Sequence, residues 1–157
     1  MSETIQSPSD QAPSDHAGAE RAELPEQSST ARVPACIVVG YSSRPEGRAA
    51  LKRALSEARL RAAALVVVNT SPDAETAGLA EQLAASGLNY EIRSAADAAD
   101  SAEELIRIAE NAAADFIVIG LRRRSPVGKL LLGSNAQRVL LDAACPVLAV
   151  KAELDAV

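Results

Sequence analysis

The sequence is poor in aromatic residues and in histidine. It has no tryptophan, one phenylalanine and two tyrosines among 157 residues, so aromatics make up 2% of the chain. Without such side chains it offers no stacking platform for single-stranded nucleic acid, and its core has to consist of Ala, Leu, Val and Ile. The single histidine, His16, lies in a polar N-terminal segment, which argues against histidine-dependent triads and histidine-based metal sites.

Long apolar runs and frequent cysteines are also missing. No stretch approaches the roughly 18 consecutive apolar residues of a membrane span, and the first ten residues, MSETIQSPSD, contain no signal-peptide core. Cys36 and Cys145 stand at the starts of two predicted strands, which favours reduced, buried thiols over a disulfide. A net charge of -5 opposes general attraction to nucleic acid or anionic membrane. We therefore expect a cytoplasmic protein that binds neither.

The chain divides by composition into a tail and a domain. Residues 1–32 are mostly Ser, Pro, Glu, Asp, Gln and Ala, and such a segment buries too little apolar surface to offset its ordering entropy. We predict a disordered tail over residues 1–32 and one α/β domain over residues 33–157.

Within the domain, apolar runs of strand length alternate with amphipathic helical segments. The predicted strands are CIVVGY, ALVVVN, the alternating segment around Tyr90, FIVIG and PVLAV. Between them, Leu51, Ala54, Leu55 and Ala58 mark the buried stripe of the first helix, and Val139, Leu140 and Ala143 mark that of the fourth. Five mostly apolar strands alternating with four helices predict an open parallel sheet with helices on both faces.

The stretch from Phe116 to Arg138 has the layout of an anion site. A strand ends at Gly120, a basic loop with Arg122, Arg123 and Lys129 follows, and a helix is predicted to begin with Ser134 as its cap. Unpaired N–H groups and the dipole of a helix N-terminus favour a phosphate there. Two interpretations stay open for the arginines: a phosphate clamp, or a solvated loop that aids solubility. In a parallel sheet, ligands bind beyond the carboxyl ends of the strands, so the loops after the first and fourth strands line one crevice if those strands are neighbours.

Known catalytic and nucleotide motifs do not fit this stretch. Gly128 and Lys129 resemble the end of a Walker P-loop, but Arg123 stands where its first glycine belongs and Leu130 where its hydroxyl belongs. No G-x-G-x-x-G occurs after Gly40, and no nucleophile and base are readable together. The sequence predicts a non-enzymatic protein without a metal site.

Residues 33–151 resemble the universal stress protein family. The segments that carry the resemblance are IVVGYSSRPEGRAALKRAL and VIG followed by LLLGSNAQRVLLDAACPVLAVK. The resemblance implies a strand order of 3-2-1-4-5, dimerisation and a role in stress or dormancy responses. In one branch of the family it also implies ATP bound between the loops after strands one and four, whereas the other branch binds no ATP.

The ATP-binding pattern is matched in part. Gly120, Gly133 and Ser134 stand at its distances, but Arg123 replaces its second glycine and Ser42 replaces an aspartate expected after the first strand. Either a nucleotide-binding regulatory protein or a dimeric interaction module without a nucleotide therefore stays open, the dimer forming through the last strand. The predicted nucleotide contacts are Gly40, Ser42, Val68, Asn69, Gly120, Arg122, Arg123, Lys129, Gly133, Ser134 and Asn135.

Overall fold

The computed structural model describes residues 34–71, 76–122 and 132–152. These residues form, in chain order, β1 (Cys36–Tyr41), α1 (Pro45–Arg61), β2 (Ala64–Asn69), α2 (Thr76–Ser86), β3 (Tyr90–Ser94), a 3-10 turn (Ala98–Asp100), α3 (Ser101–Asn111), β4 (Phe116–Leu121), α4 (Ser134–Asp142) and β5 (Val147–Lys151). The predicted disordered tail lies outside the described residues.

The strands form one parallel sheet in the order β3-β2-β1-β4-β5, which confirms the predicted fold. β1 lies at the centre, with Val39 opposite Val67 of β2 and Val118 of β4. β3 and β5 are the two edges. Because β1 and β4 are neighbours, the loops that leave their carboxyl ends emerge side by side.

Both faces of the sheet are covered, as continuous apolar strands require. One face packs against α1 and α2, where Leu51 and Leu83 are buried. The other packs against α3 and α4, where Ile108 and Val139 are buried. The core is built from Ala, Leu, Val and Ile, as the scarcity of aromatic residues predicts.

At two helix starts a serine follows the cap position instead of occupying it, and for Ser134 this differs from the sequence prediction. Ser101 and Glu104 have the spacing of a capping box, yet Ser101 is the first helical residue of α3, and Glu104 pairs with Arg107. Ser134 is likewise the first helical residue of α4, and Gly133 holds the cap position without a side-chain bond. In both helices the hydroxyl lies one residue too late to cap its own helix.

Two assignments of side chains to faces are also wrong. Leu140, predicted to point inward from α4, is 38% exposed, and its neighbour Leu141 is 74% exposed. Glu57, which lies outside the predicted buried stripe of α1, is buried between Arg53 and Arg61, with carboxylate oxygens 2.7 and 3.2 Å from their guanidinium nitrogens. Local periodicity predicts the helix, but the neighbouring elements decide how wide its buried stripe is.

Both cysteines are free and partly buried, at the amino-terminal ends of β1 and β5. Burial raises the pKa of the Cys36 thiol above its ordinary value, and the nearby Asp115 and Glu91 carboxylates raise it further. Burial is also the main cause of the raised pKa of Cys145. Both thiols are therefore held in the neutral form.

None of the described helices is long and apolar enough to cross a membrane.

Candidate functional site

A cleft of about 660 Å³ opens beyond the carboxyl ends of β1, β2 and β4. Its volume lies within the range of small-molecule sites. The described residues that line it are Gly40, Ser42, Ser43, Arg44, Glu46, Gly47, Thr70, Ser71, Ser101, Ala102, Leu105, Ile119, Gly120, Arg122, Gly133, Ser134, Asn135, Ala136 and Val139. The apolar members form part of the packing between the sheet and α3 and α4. The polar groups of the cleft are hydroxyls, an amide, one carboxylate and two guanidinium groups.

Two glycines allow the first wall of the cleft to be built. A Cβ on Gly47 would lie 2.3 Å from Ser42 Oγ and 2.4 Å from its backbone nitrogen, so the loop after β1 folds tightly onto the first turn of α1. A Cβ on Gly120 would lie 2.0 Å from the carbonyl oxygen of Glu46. The start of α1 therefore rests directly on the end of β4, and close backbone approach is the reason for glycine at residue 120.

The loop after β2 is fixed to the end of β1. The backbone N–H and the side-chain hydroxyl of Thr70 both donate to the carbonyl oxygen of Tyr41, at 2.8 and 2.9 Å. Asn69 is buried, and its side-chain oxygen accepts a hydrogen bond of 3.1 Å from the N–H of Ser71. This asparagine forms the turn that presents Thr70 and Ser71 to the cleft.

The opposite wall is the corner between α3 and α4. The side-chain amide of Asn135 donates to the Ser101 hydroxyl at 3.1 Å, which joins the first turns of the two helices. The helical ladder of α4 begins with the N–H of Gln137 donating to the carbonyl of Gly133 at 3.0 Å. The N–H groups of Ser134 and Ala136 precede that ladder, so they are available at the cleft with the positive end of the helix dipole.

One ion pair joins two walls of the cleft. Arg122, the first residue after β4, donates from Nε to Glu46 Oε1 at 3.0 Å. The Arg122 side chain is 60% exposed and that of Glu46 only 15%. Within the described residues no cluster of three or more His, Cys, Asp or Glu could hold a metal ion.

The structure brings most of the described candidate residues together. Gly40, Ser42, Gly120, Arg122, Gly133, Ser134 and Asn135 all line the cleft. Val68 does not, because it is fully buried in the packing between the sheet and α3, where its side chain serves the core. Asn69 lies beneath the cleft as the turn former already described. Arg123 and Lys129 lie outside the described residues.

Sequence reasoning missed several lining residues, among them Glu46, Gly47, Thr70, Ser71 and Ser101. Gly47 follows a Pro-Glu pair in the first turn of a predicted helix, where glycine is unfavourable. A glycine at such a position could have indicated a close backbone contact. The pairing of Glu46 with Arg122 had no signal in the sequence, because the two residues are 76 positions apart.

Comparison with known proteins gives consistent results. The family model described as "Universal stress protein family" matches residues 78–151. A universal stress protein of Mycolicibacterium smegmatis is 45% identical over 126 residues, which cover 73% of this chain and 96% of the relative. The solved structure of a universal stress protein from Archaeoglobus fulgidus superimposes with a TM-score of 0.59 at 31% identity, covering 75% of this chain and 98% of that one. A structure of the universal stress protein from the same organism, in complex with dAMP, gives a TM-score of 0.54 at 26% identity, with coverage of 76% and 99%.

Proposed function

The chain belongs to the universal stress protein family, and on that premise we propose that it is a regulatory binding protein of the stress response whose cleft takes an adenine nucleotide. The Ser134 and Ala136 amides, together with the Arg122 guanidinium, would hold the phosphate. The sugar and base would lie toward Ser42, Thr70 and Ser71, along the loops after β1 and β2. This role is one of binding and signalling, without chemistry on the ligand.

The observation that carries the proposal is the convergence of α4 and β4 at one end of the cleft. A helix N-terminus supplies oriented N–H donors and a positive dipole end, and a guanidinium next to it adds charge and further donors. The dAMP complex of the related protein supports the same ligand class, since dAMP presents a phosphate, a sugar and an adenine. The cleft volume of about 660 Å³ suits a molecule of that size.

The first test is direct detection of the ligand. Protein isolated gently and then denatured should release a nucleotide that mass spectrometry identifies. Purified protein should melt at a higher temperature with AMP, ADP, ATP or a cyclic nucleotide. At a ligand concentration a hundredfold above Kd, binding stabilises the folded state by about 2.7 kcal/mol, which corresponds to a shift of several degrees.

Arg122→Gln should lower the affinity about tenfold, because a charge-assisted phosphate contact is lost. The matched control is Arg93→Gln. Arg93 also forms an ion pair, with its Nε 2.8 Å from Glu91 Oε1, but it lies on the edge strand β3 and does not line the cleft. The proposal fails if no nucleotide is released and none shifts the melting temperature, or if both substitutions weaken binding equally.

A second candidate function, a dimeric interaction module, is favoured by the exposed edge of β5. The N–H of Ile117 donates to the carbonyl of Pro146, and β4 pairs with β5 in parallel from Ile117 opposite Val147 onward. Since alternate residues of a parallel strand bond to one neighbour, Val147 and Ala149 point their backbone groups away from β4. These groups could pair with a second copy of the strand, and an unpaired edge is otherwise a liability.

Ala149→Pro tests this dimer. Proline removes an outward N–H while leaving the pairing with β4 intact, so the substituted protein should fold and sediment as a monomer. Ala149→Val keeps the N–H and is the control. If the unsubstituted protein is already monomeric at micromolar concentration, or if Ala149→Pro sediments like the control, pairing through β5 is ruled out. The nucleotide measurements do not depend on this result.

A further inference from the structure

The Glu46–Arg122 ion pair places a carboxylate inside a cleft suited to anions. Glu46 occupies the first turn of α1, and its backbone rests on Gly120. From that position its side chain reaches past the end of β1 to the first residue after β4, at 3.0 Å. Both residues line the cleft, so any ligand that contacts Arg122 lies close to Glu46 as well.

The pair leaves Arg122 able to bind one further anion. Glu46 engages the Nε of Arg122, and the two terminal nitrogens of that guanidinium have no partner among the described residues. A guanidinium carries five N–H donors, so a phosphate can take those that remain in bidentate fashion. Glu46 holds the guanidinium in one orientation for that contact. The carboxylate itself is mostly buried, with 15% of the Glu46 side chain exposed.

Among the described lining residues, positive and negative charges nearly balance. Over residues 34–71, 76–122 and 132–152, its lining contains two cations, Arg44 and Arg122, and one carboxylate, Glu46. One phosphate group can accept hydrogen bonds from the terminal nitrogens of Arg122 and from the N–H groups at the start of α4. Each additional phosphate adds negative charge that the Glu46 carboxylate repels.

We propose that Glu46 is a specificity-determining residue that makes the cleft prefer nucleotides with a single phosphate group over nucleoside triphosphates. This inference rests on the proposed nucleotide-binding function and deepens it. Glu46 also tethers α1 to β4, but a tether alone would affect all ligands alike. A preference between ligands of different charge separates the two roles.

The test compares the affinities for AMP and ATP by calorimetry without divalent cations, since Mg²⁺ would mask the charge of the triphosphate. The full-length protein should bind AMP about tenfold more tightly than ATP, the effect expected of like charges in a partly screened cleft. Glu46→Gln keeps the shape and removes the charge, so it should bring the two affinities close together, chiefly by strengthening ATP binding.

Glu91→Gln is the matched control. It removes one carboxylate that is also paired with an arginine, but on β3 and away from the cleft, so it should keep the tenfold preference. The inference is overturned if the full-length protein binds ATP as tightly as AMP, or if Glu46→Gln changes both affinities by the same factor. If neither ligand binds any of the proteins, the proposed function itself fails. Should Glu46→Gln prove unfolded by circular dichroism, an unsubstituted protein that binds ATP as tightly as AMP still overturns the inference.

Discussion

Gly120→Ala gives the most direct test of how the cleft is assembled. The added Cβ would lie 2.0 Å from the carbonyl oxygen of Glu46 and 2.5 Å from its carbonyl carbon. Both are backbone atoms, so rotation of a side chain cannot relieve the overlap. The first turn of α1 or the end of β4 has to move, and the packing that both share with the core is disturbed with it.

The expected cost is about 2–3 kcal/mol of unfolding free energy, at the upper end of the usual range for overpacking, because the obstacle is backbone. For a domain of this size that corresponds to a fall of about 10 °C in the melting temperature. Urea denaturation followed by circular dichroism gives the free energy, and a thermal melt gives the temperature.

Gly78→Ala is the control within the same chain. Gly78 lies in α2 on an exposed face, and a Cβ there would meet nothing within 4 Å. That substitution should stabilise the protein by about 0.5–1 kcal/mol, because alanine is the better helix former. The close approach of α1 to β4 is contradicted if the unfolding free energy of Gly120→Ala lies within about 0.5 kcal/mol of that of the unsubstituted protein while Gly78→Ala behaves as expected.

Two further predictions concern residues away from the cleft. Glu57→Gln should lower the unfolding free energy measured by urea denaturation by about 1 kcal/mol at low salt and by less at molar salt, because Glu57 bridges two half-exposed arginines, Arg53 and Arg61. A loss of stability that does not change with salt would contradict this. Because the pKa of each thiol is raised in the folded protein, their contribution to stability is fully present below the ordinary value of 9.0 and is lost as the pH rises through the raised values. The double substitution Cys36→Ala and Cys145→Ala should therefore flatten the loss of stability above pH 9.0 in denaturation measurements; parallel pH curves would show that burial of the thiols has no such effect.

The sequence allowed the position of the cleft to be predicted, but only seven of its nineteen described lining residues. Gly120, Arg122 and Ser134 were identified because a basic loop between a strand and a helix start is a recognisable local pattern. The predicted role of Ser134 was wrong by one residue. Gly133 holds the cap position, and Ser134 is the first residue of the helix. Val68 was predicted to contact the nucleotide, but its side chain is fully buried in the core on the α3 side of the sheet.

The strand and helix alternation, the aliphatic core and the polarity of the loop after β4 were fixed by the order of residues alone, because hydrophobic periodicity and charge clustering act over a few neighbouring positions. Folding decided the rest: that α1 lies against Gly120, that Glu46 faces Arg122, and that Asn135 joins Ser101. Those contacts connect residues far apart in the chain, and they exist because the parallel sheet brings the ends of β1 and β4 together. The arrangement of charged groups at the cleft depends on that proximity.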